Sequence, residues 1–279
     1  MAIYIESRIA FRIDNNLIMA VIEQGLCSII IAMDNGPITR KLEPDMTAYA
    51  TTAGTRLNAV EARIAQAAAV AGRDPGTVHL LAVSKTFGAD AVRALAACGQ
   101  HVFGESYVQE ALQKQADLSD LALQWHFIGP IQSNKTRAIA ENFSWVHSID
   151  RLKIAERLSA QRPAGLPPLQ VCIELNVSGE ASKGGVTAAE LPALAATVAA
   201  LPRLQLRGLM AIPQPVSDVA VQRDAFRRVR MAFDTLVASG HPLDTLSMGM
   251  SADLEAAILE GATIVRIGTA LFGERTKHA

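Results

Sequence analysis

Cysteine is scarce in this chain: Cys27, Cys98 and Cys172 stand far apart and are odd in number. That excludes a disulfide framework and a C-x-x-C pair, and it suits a reducing cytoplasm with Cys98 and Cys172 as free, buried thiols. A charge excess is missing as well. The 26 basic residues against 27 acidic ones give a formal net charge of −1, without the basic surplus of a nucleic-acid scaffold. The chain has no clean membrane span, because the apolar stretch Leu17 to Met33 is broken by Glu23, Gln24 and Gly25. It does not open like a secretory signal either, since Glu6, Arg8, Arg12 and Asp14 come first and no A-x-A site follows. The G-x-S-x-G elbow, the H-E-x-x-H helix and the G-x-G-x-x-G turn are all absent. The histidines are too scattered to predict a metal cluster by spacing, and the carboxylates show no obvious acid–base pair.

What the chain does have is alternation. Half of its 279 residues are hydrophobic, ample for one large barrel or two smaller domains. The composition shifts near residue 46. Met46 is the expected biological start; residues 1–45 read as an N-terminal extension that is disordered or an upstream gene-model artefact, and 46–279 as the folded domain. The competing view is a real extension that packs on the barrel or anchors a partner. Arg56–Ala71 carries apolar residues at helical spacing and stops before Gly72, which predicts an amphipathic helix.

Short apolar runs then recur at His79–Lys85, His101–Glu105, Gln124–Gly129, Trp145–Ile149, Leu169–Val177, Leu204–Ile212, Thr245–Met250 and Ile264–Gly268. Helical periodicity fills the gaps, as at Ala89–Cys98, Lys135–Asn142, Ala188–Ala200 and Val221–Ser239. Pro and Gly fall mostly between units, and Pro192 lies close enough to a helix start to be tolerated. Eight βα units predict an α/β fold, a single-domain (β/α)8 TIM barrel with an N-terminal helix before it. A doubly wound open sheet is the runner-up and would not require eight strands. No second domain is expected beyond Gly273.

In such barrels the chemistry sits where strands end. Leu81, Val83 and Lys85 alternate on one face of the first run, so Lys85 is expected to face the interior near the strand's C-terminal end. A buried ammonium is costly and tends to lose its proton and become a nucleophile. Taken alone, a strand-end lysine more often snorkels into solvent. Other strand ends add Gly104-Glu105-Ser106-Tyr107, His126, Asn176, Ser247 to Ser251 and Arg266 to Thr269. Loops after strands seven and eight often bind phosphate through backbone N–H groups. Ser251 is read as the N-cap of a helix Ala252–Leu259, and Gly268-Thr269 opens a segment that lets backbone approach an anion. Any one of these alone is a turn or cap residue; together, beside the lysine strand, they point to a phosphate site. Arg266, flanked by apolar neighbours, needs an acceptor, either Glu105 or a ring nitrogen of a bound cofactor. His126 reads as a core histidine bonded to a backbone carbonyl. Gly179–Gly185 lacks the phosphate-loop spacing and reads as a mobile loop.

The strings Leu81-Ala82-Val83-Ser84-Lys85-Thr86, Phe103-Gly104-Glu105-Ser106-Tyr107-Val108-Gln109-Glu110, Trp125 through Lys135, Arg207-Gly208-Leu209-Met210-Ala211-Ile212, Ser247 through Ser251 and Val265 through Thr269 together resemble the pyridoxal phosphate homeostasis protein family. The resemblance is collinear from about residue 55 to 273 and does not extend to 1–45. It implies a fold-type III barrel like the N-terminal domain of alanine racemase, with pyridoxal 5′-phosphate (PLP) as cofactor. By the same resemblance Lys85 matches the lysine that forms the imine, while Ser247, Ser251, Gly268 and Thr269 would hold the phosphate. Arg266 would face the pyridine nitrogen, and Tyr107 joins the cofactor-binding set. Ser106 departs from the family's asparagine, which puts any contact of that side chain in doubt.

The resemblance implies a monomeric cytoplasmic carrier that buffers PLP and hands it to PLP-dependent apoenzymes, with no turnover, no nucleic acid and no membrane. The rival is a PLP-dependent amino-acid racemase or lyase, for which Tyr107 and His126 are the candidate second bases. A third class is a sugar-phosphate barrel with Lys85 as a Schiff-base aldolase lysine.

Overall fold

A computed structural model describes the backbone of residues 7–13, 16–23, 26–33, 36–38, 44–180 and 184–274, with side chains from residue 51 onward except 181–183. The chain divides into two compact units, Met1–Thr51 and Thr52–Ala279. In the first, where the sequence shows no family likeness, β1 (Ser7–Ile13), β2 (Asn16–Glu23), β3 (Leu26–Met33) and β4 (Gly36–Ile38) pair in chain order as an antiparallel sheet. The runs of isoleucine and valine in β2 and β3 are favourable strand formers.

Helix α1 runs Pro44–Val70, twelve residues earlier than the pattern from Arg56 predicts. From residue 53 on, Ala53, Leu57, Val60, Ile64, Ala67 and Ala68 recur at helical spacing and are buried in the core of the second unit. Gly72, at φ 65°, ends the helix, and Arg73 N–H closes back onto Ala68 O.

The second unit is the expected barrel. Its strands are β5 (His79–Val83), β6 (Val102–Glu105), β7 (Gln124–Phe127), β8 (Trp145–Ile149), β9 (Leu169–Glu174), β10 (Leu204–Met210), β11 (Thr245–Ser247) and β12 (Ile264–Ile267). All pair in parallel, and β12 on β5 closes the circle. Helices α2 (Ala89–Ala97), α3 (Val108–Asp117), α4 (Thr136–Asn142), α5 (Leu152–Gln161), α6 (Leu191–Ala200), α7 (Val219–Ala238), α8 (Leu254–Leu259) and α9 (Thr269–Phe272) follow the strands in turn. Pro192 sits in the first turn of α6, where its missing N–H costs nothing.

Strand alternation makes two cores. Outward residues such as Phe103, Phe127, Val171, Leu209 and Val265 pack with the helices in one continuous apolar cluster. Leu81, Val83, Cys172, Met210 and Ile264 are equally buried but lie outside that cluster, on the alternate, inward positions. At the strands' N-terminal ends Arg207 lies over the Trp145 ring at 5.1 Å, donates to Gln170 Oε1 at 2.8 Å and pairs with Asp244.

Several strands stop sooner than the apolar runs suggest: β5 ends at Val83, β9 at Glu174 and β11 at Ser247. Past these ends the backbone still bonds a neighbour, Ser84 N–H to Gly104 O, Leu175 N–H to Met210 O and Met248 N–H to Ile264 O, but it leaves the regular ladder. Two further expectations are corrected. Cys98 is exposed beyond the end of α2, and of the two cysteines with described side chains only Cys172 is buried. Helix α8 begins at Leu254 with Asp253 as N-cap, because residues 251–253 form a turn first. Within Gly179–Gly185, residues 181–183 lie outside the described residues.

Gly208 on β10 lies so near β11 that a Cβ would sit 1.8 Å from Thr245 O. Gly208→Ala should therefore push the two strands apart and lower unfolding stability by about 2 kcal/mol or more. A denaturation midpoint equal to that of the native chain would contradict this reading of the β10–β11 contact.

Candidate functional site

The C-terminal ends of β5, β11 and β12 bring most of the expected residues together. On β5 the inward positions Leu81 and Val83 lead to Lys85, just past the strand. Lys85 is half-buried, less deeply placed than a core position would be, because the strand has already ended. Thr86 follows at φ 71°, a left-handed conformation that costs a non-glycine residue about 1 kcal/mol or more. The chain thus turns sharply immediately after the lysine.

Strand β12 lies beside β5, with Arg266 opposite Leu81 and Ile267 opposite Ala82. Gly268 comes next, and a Cβ there would stand 3.3 Å from Val83 O. Glycine lets the two strand ends approach. Gly268 is the N-cap of α9 and Thr269 its first residue. Ser251, on the loop after β11, accepts a hydrogen bond from Ala270 N–H at 3.4 Å, so the loops after β11 and β12 meet at this point. Ser251 is therefore not the cap of α8; its hydroxyl points to the other loop. Tyr107 stands at the N-cap of α3 and is 56% exposed.

Arg266 is 4% exposed. Its guanidinium donates to Ser247 O, to Ser247 Oγ at 2.9 Å and to Ala211 O at 2.9 Å. Glu105, offered by sequence as its partner, lies on an outward position of β6 and pairs with Lys114 instead. Burial pulls the Arg266 pKa down to about 10, and the nearby Asp253 and Glu174 carboxylates oppose that fall. The group stays cationic at neutral pH. Burial in turn raises the Glu174 carboxyl, with Asp150 adding to the rise, and raises Asp253, whose carboxylate accepts the Met250 N–H at 2.6 Å.

Beneath Arg266 runs a chain of polar groups that spacing did not reveal. Ser247 Oγ lies 2.7 Å from His147 Nδ1, and His147 Nε2 lies 3.0 Å from His126 Nδ1. His126 is thus bonded to another imidazole and not to a backbone carbonyl. A guanidinium can only donate, so Ser247 Oγ accepts from it. Burial lowers the His126 pKa to about 3 and holds His147 well below its ordinary value, with His126 and Arg266 adding repulsion. Both rings are neutral. The one sequence signal for His147 was parity with Trp145 on β8, which puts both on the inward side. Among the described residues no group of three or more His, Cys, Asp and Glu could hold a metal ion.

A cleft of about 220 Å³ lined by Arg63, Val70, Glu255 and Leu259 adjoins the loop after β11, where Arg63 donates to Ser251 O at 3.0 Å, and another of about 440 Å³ is lined by Gln124, Trp145, Arg162 and Gln170 at the strand starts.

The buried histidines give a pH dependence with a definite sign. Their folded pKa values lie below the unfolded value of about 6.5, so the unfolded chain binds more protons on acidification. The stability they permit is complete above about pH 6.5 and drains as pH falls toward about 3 for His126. His126→Gln should make the loss between pH 6.5 and 4 shallower, by up to about 1.4 kcal/mol per pH unit. Denaturant titrations at stepped pH read this directly, and parallel profiles for the two proteins would mean that His126 titrates normally.

Comparison with known proteins agrees with this architecture. The family model of the alanine racemase N-terminal domain matches residues 55–276. The pyridoxal phosphate homeostasis protein of Pseudomonas aeruginosa is 65% identical over 225 residues, covering 81% of this chain and 96% of the relative. That of Escherichia coli strain K12 is 54% identical over 219 residues, 77% of this chain and 94% of the relative. The solved structure of PipY from Synechococcus elongatus PCC7942 with PLP bound is 39% identical, with a TM-score of 0.66, covering 75% of this chain and all (100%) of PipY. On the strength of those matches and the barrel they share, this chain belongs to the pyridoxal phosphate homeostasis protein family.

Proposed function

We propose that this chain binds PLP at the C-terminal rim of the barrel, holds it on Lys85, and so buffers and delivers the cofactor inside the cell. The observation that carries the reading is the meeting, on adjacent strands β5 and β12, of Lys85 with buried Arg266, Gly268 and the Ser251–Ala270 contact. The names of the relatives and the PLP-bound PipY structure support it.

The residues present fit the group. A phosphate needs donors on closely approaching backbone, and Ser251, Gly268 and Thr269 stand where the two last loops touch. An aromatic ring nitrogen needs a partner of fixed direction, and Arg266 is fixed by two carbonyls and a hydroxyl. Ser247, fully buried and committed to Arg266 and His147, serves the site by holding that arginine in place. Tyr107, exposed at the N-cap of α3, belongs to the set by resemblance. When bound, PLP supplies an aldehyde that condenses with a primary amine and a pyridine ring that withdraws electrons.

Turnover is not expected from this arrangement. A guanidinium beside the ring nitrogen disfavours its protonation, because two positive charges would then face each other, and this weakens the ring as an electron sink. Of the two bases a racemase or lyase would draw on, His126 is locked to His147 and held neutral by burial, while Tyr107 is mostly in solvent. The described residues contain no helix long and apolar enough to cross a membrane. The reading is completed by a monomeric cytoplasmic barrel over residues 46–279, with PLP and PLP-dependent apoenzymes as partners.

Absorbance spectra with added PLP, then borohydride reduction and peptide mapping, test the reading. The expected result is one reduced adduct, on Lys85, and none in Lys85→Ala, which should keep its fold because it loses a half-buried charge and no core filler. No adduct, or an adduct that persists in Lys85→Ala, would overturn the site. Exchange of a substrate α-proton with solvent by the loaded protein would restore the racemase or lyase alternative.

A further inference from the structure

Behind the lysine strand, on the side away from the barrel interior, lies a buried charge cluster that the proposed site does not use. Lys114 of α3 has only 6% of its side chain exposed, and Glu105 of β6 has none. The Lys114 ammonium donates to Glu105 Oε1 at 2.7 Å, to Glu110 Oε1 at 2.6 Å and to the backbone oxygen of Ser84 at 2.7 Å. Ser84 Oγ donates to the same Glu105 oxygen at 2.6 Å. Glu110 Oε1 also accepts the Thr86 N–H at 2.5 Å. Glu105 Oε2 is buried with no partner among the described residues.

The chain positions matter more than the number of bonds. Ser84 C=O belongs to the peptide group before Lys85, and Thr86 N–H to the one after it. Both peptide groups that flank the lysine Cα are therefore tied to one ammonium, the first directly and the second through Glu110. With those planes fixed and Thr86 held at φ 71°, the Cα–Cβ direction of Lys85 is fixed too. Stability alone gives little reason for such a cluster. A buried ion pair costs several kcal/mol of desolvation per ion, and an apolar pair of the same volume often does as well. What an apolar pair cannot do is grip a carbonyl oxygen and, through a carboxylate, an amide N–H on either side of a chosen residue.

We propose that Lys114 and Glu110 are positioning residues that aim the Lys85 amine at the aldehyde of PLP, and so set the rate of covalent capture, in which amine and aldehyde join as C=N with loss of one water. The inference rests on the PLP reading above. It assigns α3, an outer helix, a part in the chemistry at the rim.

The test separates aim from affinity and from folding. Capture is followed by stopped-flow absorbance at saturating PLP. Binding without capture is measured with pyridoxine 5′-phosphate, which has the same ring and phosphate but an alcohol in place of the aldehyde. Glu110 is partly exposed, so Glu110→Ala should fold; it should capture at least tenfold more slowly while binding pyridoxine 5′-phosphate within twofold of native. Glu110→Gln, which keeps an acceptor for Thr86 N–H, should recover most of the rate. The double variant Lys114→Met with Glu105→Gln removes both buried charges; it should melt close to native and still capture slowly. Native capture rates in both Glu110→Ala and the double variant would overturn the inference and leave the PLP site standing. A native chain that captures no PLP at all would remove the site and this inference with it.

Discussion

The buried guanidinium of Arg266 is the constraint around which the barrel interior is arranged. A permanent cation withdrawn from water must be met by oriented oxygen atoms, and here three of them come from two strand ends: Ser247 twice, at the end of β11, and Ala211 just past β10. Because arginine only donates, Ser247 must receive from it, and Ser247 Oγ in turn stands against the His147–His126 pair. Burial keeps both imidazoles neutral, and the arginine adds to that effect at His147. Burial likewise pushes the facing acids Glu174 and Asp253 upward, and there the arginine opposes it.

The two sides of the strand layer divide the work. Inward positions carry Arg266, Ser247, His147 and His126 among apolar residues such as Leu81 and Met210; outward positions carry the continuous apolar core, with one charged exception under α3. That division lets the barrel bury polar and charged groups without losing its stability. The costly groups are paid for locally by short hydrogen-bonded chains, while the bulk of the stabilisation comes from the separate outer shell of Phe, Val, Ile and Leu.

Much of this could be read from the sequence, and the failures have a common cause. Eight apolar runs gave eight strands, and parity put Leu81 and Val83 on the inward side of β5, because both depend on local periodicity. Strand ends were overestimated at β5, β9 and β11, since composition does not mark where the backbone leaves the ladder. Pairings across the barrel were misjudged because they join residues far apart in the sequence. Glu105 and Arg266 both looked like buried charges in search of a partner, but they sit on opposite faces of the strand layer, which only the bend at the end of β6 and the place of α3 decide. His147 went unnoticed because its significance lies in Ser247, 100 residues away. The turn at Ser251 was missed because serine caps and serine turns share the same local chemistry.

The packing of Arg207 on Trp145, with Asp244 and Gln170 around it, ties β8, β9, β10 and the start of β11 together at the end of the barrel opposite the proposed site. A barrel of this kind is filled by side chains and is not a pore. Any ligand of the proposed rim site would therefore enter and leave on the same side, and its net direction would follow the concentrations of free ligand and of empty acceptors outside.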